Sequence, residues 1–200
     1  MAEITAALVK QLRDATGVGM MECKAALQEA KGDIDEAQTI LRKRGLAQAA
    51  KKVGRSTSEG LIGSYIHAGG KIGVLVELNC ESDFVARTED FQNLLKEIAL
   101  QVAAASPTYA KREDVPAEVL EREREIYRAQ MENSGKPAQV VEKIVEGKLG
   151  SFYEQTVLID QASIRDPKTT VGQLLQAAIA KLGENISAAR FVRFKVGESA

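Results

Sequence analysis

Apolar side chains recur three and four residues apart through the first 45 positions, the spacing of amphipathic helices. Ile4, Leu8, Val9 and Leu12 share one face, and Thr16-Gly17-Val18-Gly19 ends that pattern. A second face runs through Met20, Cys23, Ala26, Leu27 and Ala30. It stops at Gly32, because the residue just past a helix end favours glycine. Asp33 then stands as an N-cap with Glu36 three residues on, leading Ile34, Ala37, Ile40 and Leu41 into Gly45. The pattern predicts a bundle of three short helices, near the lower size limit for a core that folds alone.

Residues 46–59 carry Lys51, Lys52, Arg55 and the polar run Ser56-Thr57-Ser58, and read as a linker. Beyond it the period drops to two. Leu61 to His67 and Ile72 to Asn79 flank Ala68-Gly69-Gly70-Lys71, whose glycines admit the positive φ of a tight hairpin. Ile72, Val74, Val76 and Leu78 take one face of the second strand, while Leu75 keeps the other from being wholly polar. A corner follows, Asn79-Cys80-Glu81-Ser82-Asp83-Phe84-Val85. It separates this strand from a helix with Thr88 as N-cap and a stripe of Phe91, Leu94, Leu95, Ile98 and Val102, ended by Ser106-Pro107. An acid and an aromatic stand side by side on that corner. Two readings are open: Phe84 plugs the core while Asp83 caps a turn, or a rigid corner presents both to a partner.

Residues 115–149 change character. Pro116 fits a first helical position, and the charged run from Glu118 to Glu125 carries Ile126, Tyr127 and Met131 along one side. Asn133-Ser134-Gly135-Lys136-Pro137 breaks it, and Val140, Val141, Ile144 and Val145 mark a second helix before Gly147. A narrow apolar stripe among many charges predicts an antiparallel helical hairpin projecting from the body. Phe152 to Ile159 is apolar with no decisive period. Thr170-Val171-Gly172-Gln173 has capping-box form and opens a helix through Leu174, Leu175, Ala178 and Leu182 to Gly183. Ala188 to Val196 alternates again, with Val192, Phe194 and Val196 on one face, and supplies a third strand. The expected class is α+β. It has a three-helix domain over residues 1–52 and a core over 53–200 with a three-stranded antiparallel sheet covered by helices.

Composition narrows the function. The chain has 200 residues, 27 basic and 28 acidic, for a net charge of −1. That balance disfavours an affinity built on phosphate neutralisation, and with it direct nucleic-acid binding through the linker lysines. Cys23 and Cys80 are the two cysteines, which suits a reduced compartment. No apolar run approaches the roughly 20 residues that span a bilayer, and Met1-Ala2-Glu3-Ile4 lacks the basic and apolar regions of a signal peptide. The expected location is cytoplasmic. No cofactor is expected: Gly69-Gly70-Lys71 joins two strands without phosphate-loop spacing, and one His with two Cys cannot fill a structural zinc site. A Cys80–His67 catalytic pair fails on register. With His67 opposite Ile72, Cys80 falls opposite Glu59, roughly 26 Å along the ladder at about 3.3 Å per residue, where a dyad needs about 3 Å.

Several segments carry a resemblance. Leu12-Arg13-Asp14-Ala15-Thr16-Gly17-Val18-Gly19-Met20-Met21-Glu22-Cys23-Lys24 resembles the N-terminal signature of the translation elongation factor Ts family, and Cys80-Glu81-Ser82-Asp83-Phe84-Val85-Ala86 its second. Ser134-Gly135-Lys136-Pro137, Val145-Glu146-Gly147-Lys148, Thr170 to Leu175 and Phe191 to Glu198 extend the match in family order. Ser82 stands where many members have threonine, which keeps the hydroxyl. The resemblance implies a guanine-nucleotide exchange factor for the GTPase elongation factor Tu, without covalent chemistry of its own. It implies an N-terminal domain like a ubiquitin-associated bundle, docking through Leu12, Arg13, Thr16, Gly17, Val18, Gly19, Met20 and Met21. It implies that Ser82, Asp83, Phe84 and Val85 dislodge the partner's Mg²⁺. A chain this short resembles members that pair as homodimers in a 2:2 complex. An adaptor that tethers partners through the bundle, without exchange activity, is the competing expectation.

Overall fold

The computed structural model describes residues 4–132 and 134–198; the opening Met1-Ala2-Glu3 and the expected breaker Asn133 lie outside them. Helix α1 (Ala6–Thr16) starts where the Thr5 hydroxyl accepts from Leu8 N and ends at Gly17, φ 69°. Helix α2 (Met20–Glu29) and helix α3 (Ile34–Lys52) complete the bundle, with the Asp33 carboxylate capping Glu36 N at 2.8 Å. Val9, Leu12, Cys23, Ala26, Leu27, Ala37 and Leu41 form its buried core.

Helix α3 corrects one expectation. It does not stop at Gly45 but runs on to Lys52, so the first half of the expected linker is helical. Gly45 is a contact residue. A Cβ there would stand 2.9 Å from Ala180 Cβ, and its absence lets α3 lie close against helix α8 (Val171–Leu182). Ala49, farther along α3, already belongs to the second hydrophobic core.

That second core lies under a sheet of order β1-β2-β3, antiparallel throughout, with β1 at Glu59–Ile66, β2 at Ile72–Cys80 and β3 at Ser187–Lys195. Val74, Val76, Leu78 and Cys80 point inward, as the alternation predicts. They meet Phe91, Leu95, Ile98 and Val102 of helix α5 (Glu89–Ala105) and Leu175 and Ile179 of α8. Among the described residues the opposite face is open. Ile62, Ile66, Leu75, Val192 and Phe194 are exposed along it, Leu75 sitting between Ser64 and Val192 in the ladder.

Helix α6 (Ala117–Met131) and helix α7 (Ala138–Thr156) form the antiparallel hairpin. The second helix passes Gly147 and takes in Phe152, which resolves most of the ambiguous 152–159 stretch as helix. A helix glycine with open space around it costs about 1 kcal/mol but need not end the helix. Among the described residues, no atom stands within 4 Å of a Cβ at Gly147. Helix α6 has no buried residue; charge pairs across the hairpin, Arg124–Glu146 at 3.3 Å and Arg128–Glu142 at 2.9 Å, face solvent.

These pairs give a pH dependence. The Arg128 hydrogen bond holds the Glu142 carboxyl below the ordinary carboxylate range, and the Arg190 hydrogen bond does the same for Glu77 in the sheet. A group whose pKa is depressed by folding contributes stability above its unfolded pKa and loses it as pH falls through the folded value. The melting temperature is therefore expected to fall between about pH 5 and pH 3, and only by a few degrees, because exposed pairs contribute little. A circular-dichroism melt that is flat across that window would contradict this.

Candidate functional site

Strand β2 ends on Cys80, which is fully buried and donates its Sγ–H to Ser82 O at 3.1 Å. Burial, with the Glu184 charge behind it, pushes the Cys80 thiol up, which makes it a poor nucleophile at neutral pH. It pairs with Glu59 at one end of the hairpin, whereas His67 N donates to Ile72 O at the other. The two side chains form no dyad.

Ser82 is extended (φ −133°, ψ 155°) and caps helix α4 (Asp83–Ala86), its hydroxyl accepting from Val85 N at 3.5 Å. Four residues make one turn, which cannot hold itself in water. Its surroundings hold it. Ala86 is buried, and the Thr88 hydroxyl donates to Val85 O at 2.7 Å while accepting from Phe91 N at 3.3 Å. Phe91 is fully buried under the sheet. Behind the corner, one Glu184 carboxylate accepts from Glu81 N at 3.1 Å, Ser82 N at 2.9 Å and the Ser82 hydroxyl at 2.6 Å. Glu81 returns the contact, its Oε1 accepting from Asn185 N at 2.7 Å, and Asn185 Nδ2 donates to Arg55 O at 2.9 Å.

Two side chains leave this frame for solvent. Phe84 is 77% exposed, so the core-plug reading is overturned: its ring meets water. A one-turn helix presents only one side to the body, and Ala86 and Val85 take it. Asp83 is half-buried, and its Oδ2 accepts from Arg87 Nη2 at 2.7 Å. The pair is exposed (Arg87 side chain 74%, Asp83 44%), and such pairs contribute about 0–1 kcal/mol. Asp83 can therefore exchange Arg87 for another partner at small cost.

The N-terminal corner is also built from the inside. Leu12 is fully buried and backs the corner without reaching its surface. The Thr16 hydroxyl donates to Leu12 O at 2.7 Å and accepts from Val18 N at 3.4 Å, and Cys23 Sγ donates to Val18 O at 3.4 Å. Arg13, Gly17, Gly19, Met20 and Met21 are exposed, with Met21 at 76% the more exposed of the two methionines. Adjacent exposed, flexible methionines suit a partner surface that must repack on contact. Lys181, near the end of α8, lies against Gly17 and donates to Asp90 at the start of α5 at 2.7 Å. Arg87, Lys181, Glu184 and Asn185 contact the two candidate corners and were not picked out by sequence reasoning; only the Gly183 helix stop hinted that the chain turns there.

Among the described residues no helix is long and apolar enough to cross a membrane. The chain matches known proteins along nearly its whole length. A family model described as Elongation factor TS matches residues 2–198. An elongation factor Ts from Solibacter usitatus is 58% identical over 199 residues, covering 100% of this chain and 94% of that protein. Those from Fervidobacterium nodosum and Thermosipho melanesiensis are each 60% identical, over 196 and 195 residues, covering 98% of this chain and 100% of theirs. These matches define a translation elongation factor. The chain belongs to the elongation factor Ts family.

Proposed function

We propose that the protein is a guanine-nucleotide exchange factor for elongation factor Tu, with residues 1–52 as a ubiquitin-associated-like docking domain and 53–200 as the core. The observation that supports this most is an aromatic ring left in solvent on a corner braced from several sides. Phe84 inserts beside the partner's nucleotide site with Asp83 next to it, and Ser82 and Val85 hold the turn that carries them. Dislodging the Mg²⁺ of the partner would remove the largest local counter-charge on GDP. No bond is made or broken. The factor needs only to bind the nucleotide-free GTPase more tightly than the loaded one, and by linkage GDP must weaken its binding to the same degree. Arg13, Thr16, Gly17, Val18, Gly19, Met20 and Met21, backed by Leu12, supply the docking surface.

The test is release of fluorescent GDP from elongation factor Tu, with and without the protein. Acceleration supports exchange. Binding without acceleration favours the adaptor reading instead, and sinks this one.

We also propose that two copies pair through the bare sheet face, giving a 2:2 complex. Ile62, Ile66, Leu75, Val192 and Phe194 form a contiguous apolar surface of a kind that monomers rarely expose. The self-complementary partner for such a flat face is its own copy, related by a two-fold axis. Light scattering after size exclusion is expected to give about twice the 21.6 kDa of one chain. Phe194→Asp, which puts a charge in the contact, is expected to give the single mass. A parent that runs as a monomer contradicts the pairing.

A further inference from the structure

The Glu184 carboxylate is the most heavily used acceptor near the exchange corner, yet it sits 102 residues from Ser82 in sequence. We propose that Glu184 is a positioning residue for exchange: it fixes the direction in which Asp83 and Phe84 leave the body. This rests on the exchange reading above.

The geometry supports a bracket more than general support. Strand β2 stops at Cys80, so the N–H groups of Glu81 and Ser82 have left the ladder and need other acceptors. Both go to Glu184 Oε2, and the Ser82 hydroxyl goes to Oε1. One carboxylate thereby grips two successive peptide units and the side chain that caps α4. Charge-assisted bonds of this kind are roughly twice as strong as neutral ones. The bracket is reciprocal, because Glu81 Oε1 accepts from Asn185 N, and its far end is anchored to α3 where Lys52 Nζ donates to Gly183 O. One turn earlier, Lys181 packs on Gly17 and pairs with Asp90. The last turn of α8 and the two residues beyond Gly183 therefore touch both candidate corners. Glu184 itself is half-buried and lies behind the surface that Phe84 and Asp83 present.

A wedge works only if it points the right way, and misplacement by about 1 Å can cost on the order of 100-fold in rate. Glu184→Ala is expected to lower the maximal GDP-release rate about tenfold at saturating factor, while the half-saturating concentration moves less than about twofold. Glu184→Gln is expected to keep the rate within about threefold, because its amide oxygen still accepts both N–H groups and its NH₂ reaches the Ser82 hydroxyl. Amide hydrogen exchange at Glu81 and Ser82, the two N–H donors of the bracket, should quicken in Glu184→Ala and remain slow at Val102. Amide exchange needs no partner, so it reads the bracket apart from GDP release.

Parent and an Asp83→Ala/Phe84→Ala double variant run alongside. A parent without acceleration sinks the exchange reading and this one together. A parent that accelerates, a double variant that does not, and a Glu184→Ala protein with the parent's maximal rate overturn the Glu184 role alone. A higher half-saturating concentration at an unchanged maximal rate does the same, since weaker docking or a smaller folded fraction raises it without redirecting the corner.

Discussion

Phe84→Ala is expected to slow GDP release from elongation factor Tu roughly 100-fold at saturating factor, an effect of about 3 kcal/mol and within the range of an interface hot spot. Its stability should stay within about 0.5 kcal/mol of the parent, as for other exposed positions, because the residue is 77% exposed and little of it rests on the body. The separation of the two effects is the point of the experiment. Asp83→Ala should cost less, roughly tenfold, since a carboxylate beside the ring adds direction and charge but little area. Arg87→Ala distinguishes what Asp83 does. If Asp83 matters only by pairing with Arg87, at 2.7 Å, losing either side chain has the same effect. If it acts on the partner, Arg87→Ala leaves exchange nearly intact. A Phe84→Ala protein that releases GDP at the parent's rate would leave the corner without its proposed role.

The second large effect concerns folding. Gly60→Ala is expected to cost about 3 kcal/mol, and to lower the melting temperature by roughly 6–12 °C for a chain of this size. Gly60 has φ +151°, and a Cβ there would stand 2.3 Å from Leu78 O and 2.7 Å from Asn79 Cα. Backbone atoms in the central strand cannot step aside as a flexible side chain can. Gly69, in the hairpin turn at φ +89°, has no atom of the described residues within 4 Å of its Cβ position. Gly69→Ala therefore carries backbone strain without the clash, about 1 kcal/mol. Equal melting temperatures for the two variants would refute the steric argument.

The strands are legible in the sequence because their alternation is short-range. Val74, Val76 and Leu78 have to share a face, and the Gly69-Gly70 turn sets the pairing of Glu59 with Cys80. The helix starts at Asp33, Thr88 and Thr170 are legible because a cap and the N–H it accepts lie three residues apart. The helix ends expected at Gly45 and Gly147 fail for one physical reason. A glycine that ends a helix and one that lets two helices touch, or merely sits in open space, look alike in sequence. Phe84 is undecidable by pattern, since one turn of helix has no period to betray which side faces water. Glu184 is invisible there, because its partners reach it only when the residues after α8 fold against those that follow β2. Acidic residues near a helix end are common, and nothing local marks this one.

Helix α3 has a consequence for selectivity. Its first turns carry Ala37 and Leu41 in the bundle core, its last carries Ala49 in the core under the sheet, and no break separates them. A hinge between the two parts would need loop residues that can absorb a change in φ and ψ. The helix supplies none across that stretch. With no hinge along α3, the span between Met21 and Phe84 is expected to stay set like the jaws of a fixed gauge. On the exchange reading proposed above, a GTPase whose docking surface and metal site lie at another separation is expected to meet one jaw but not both.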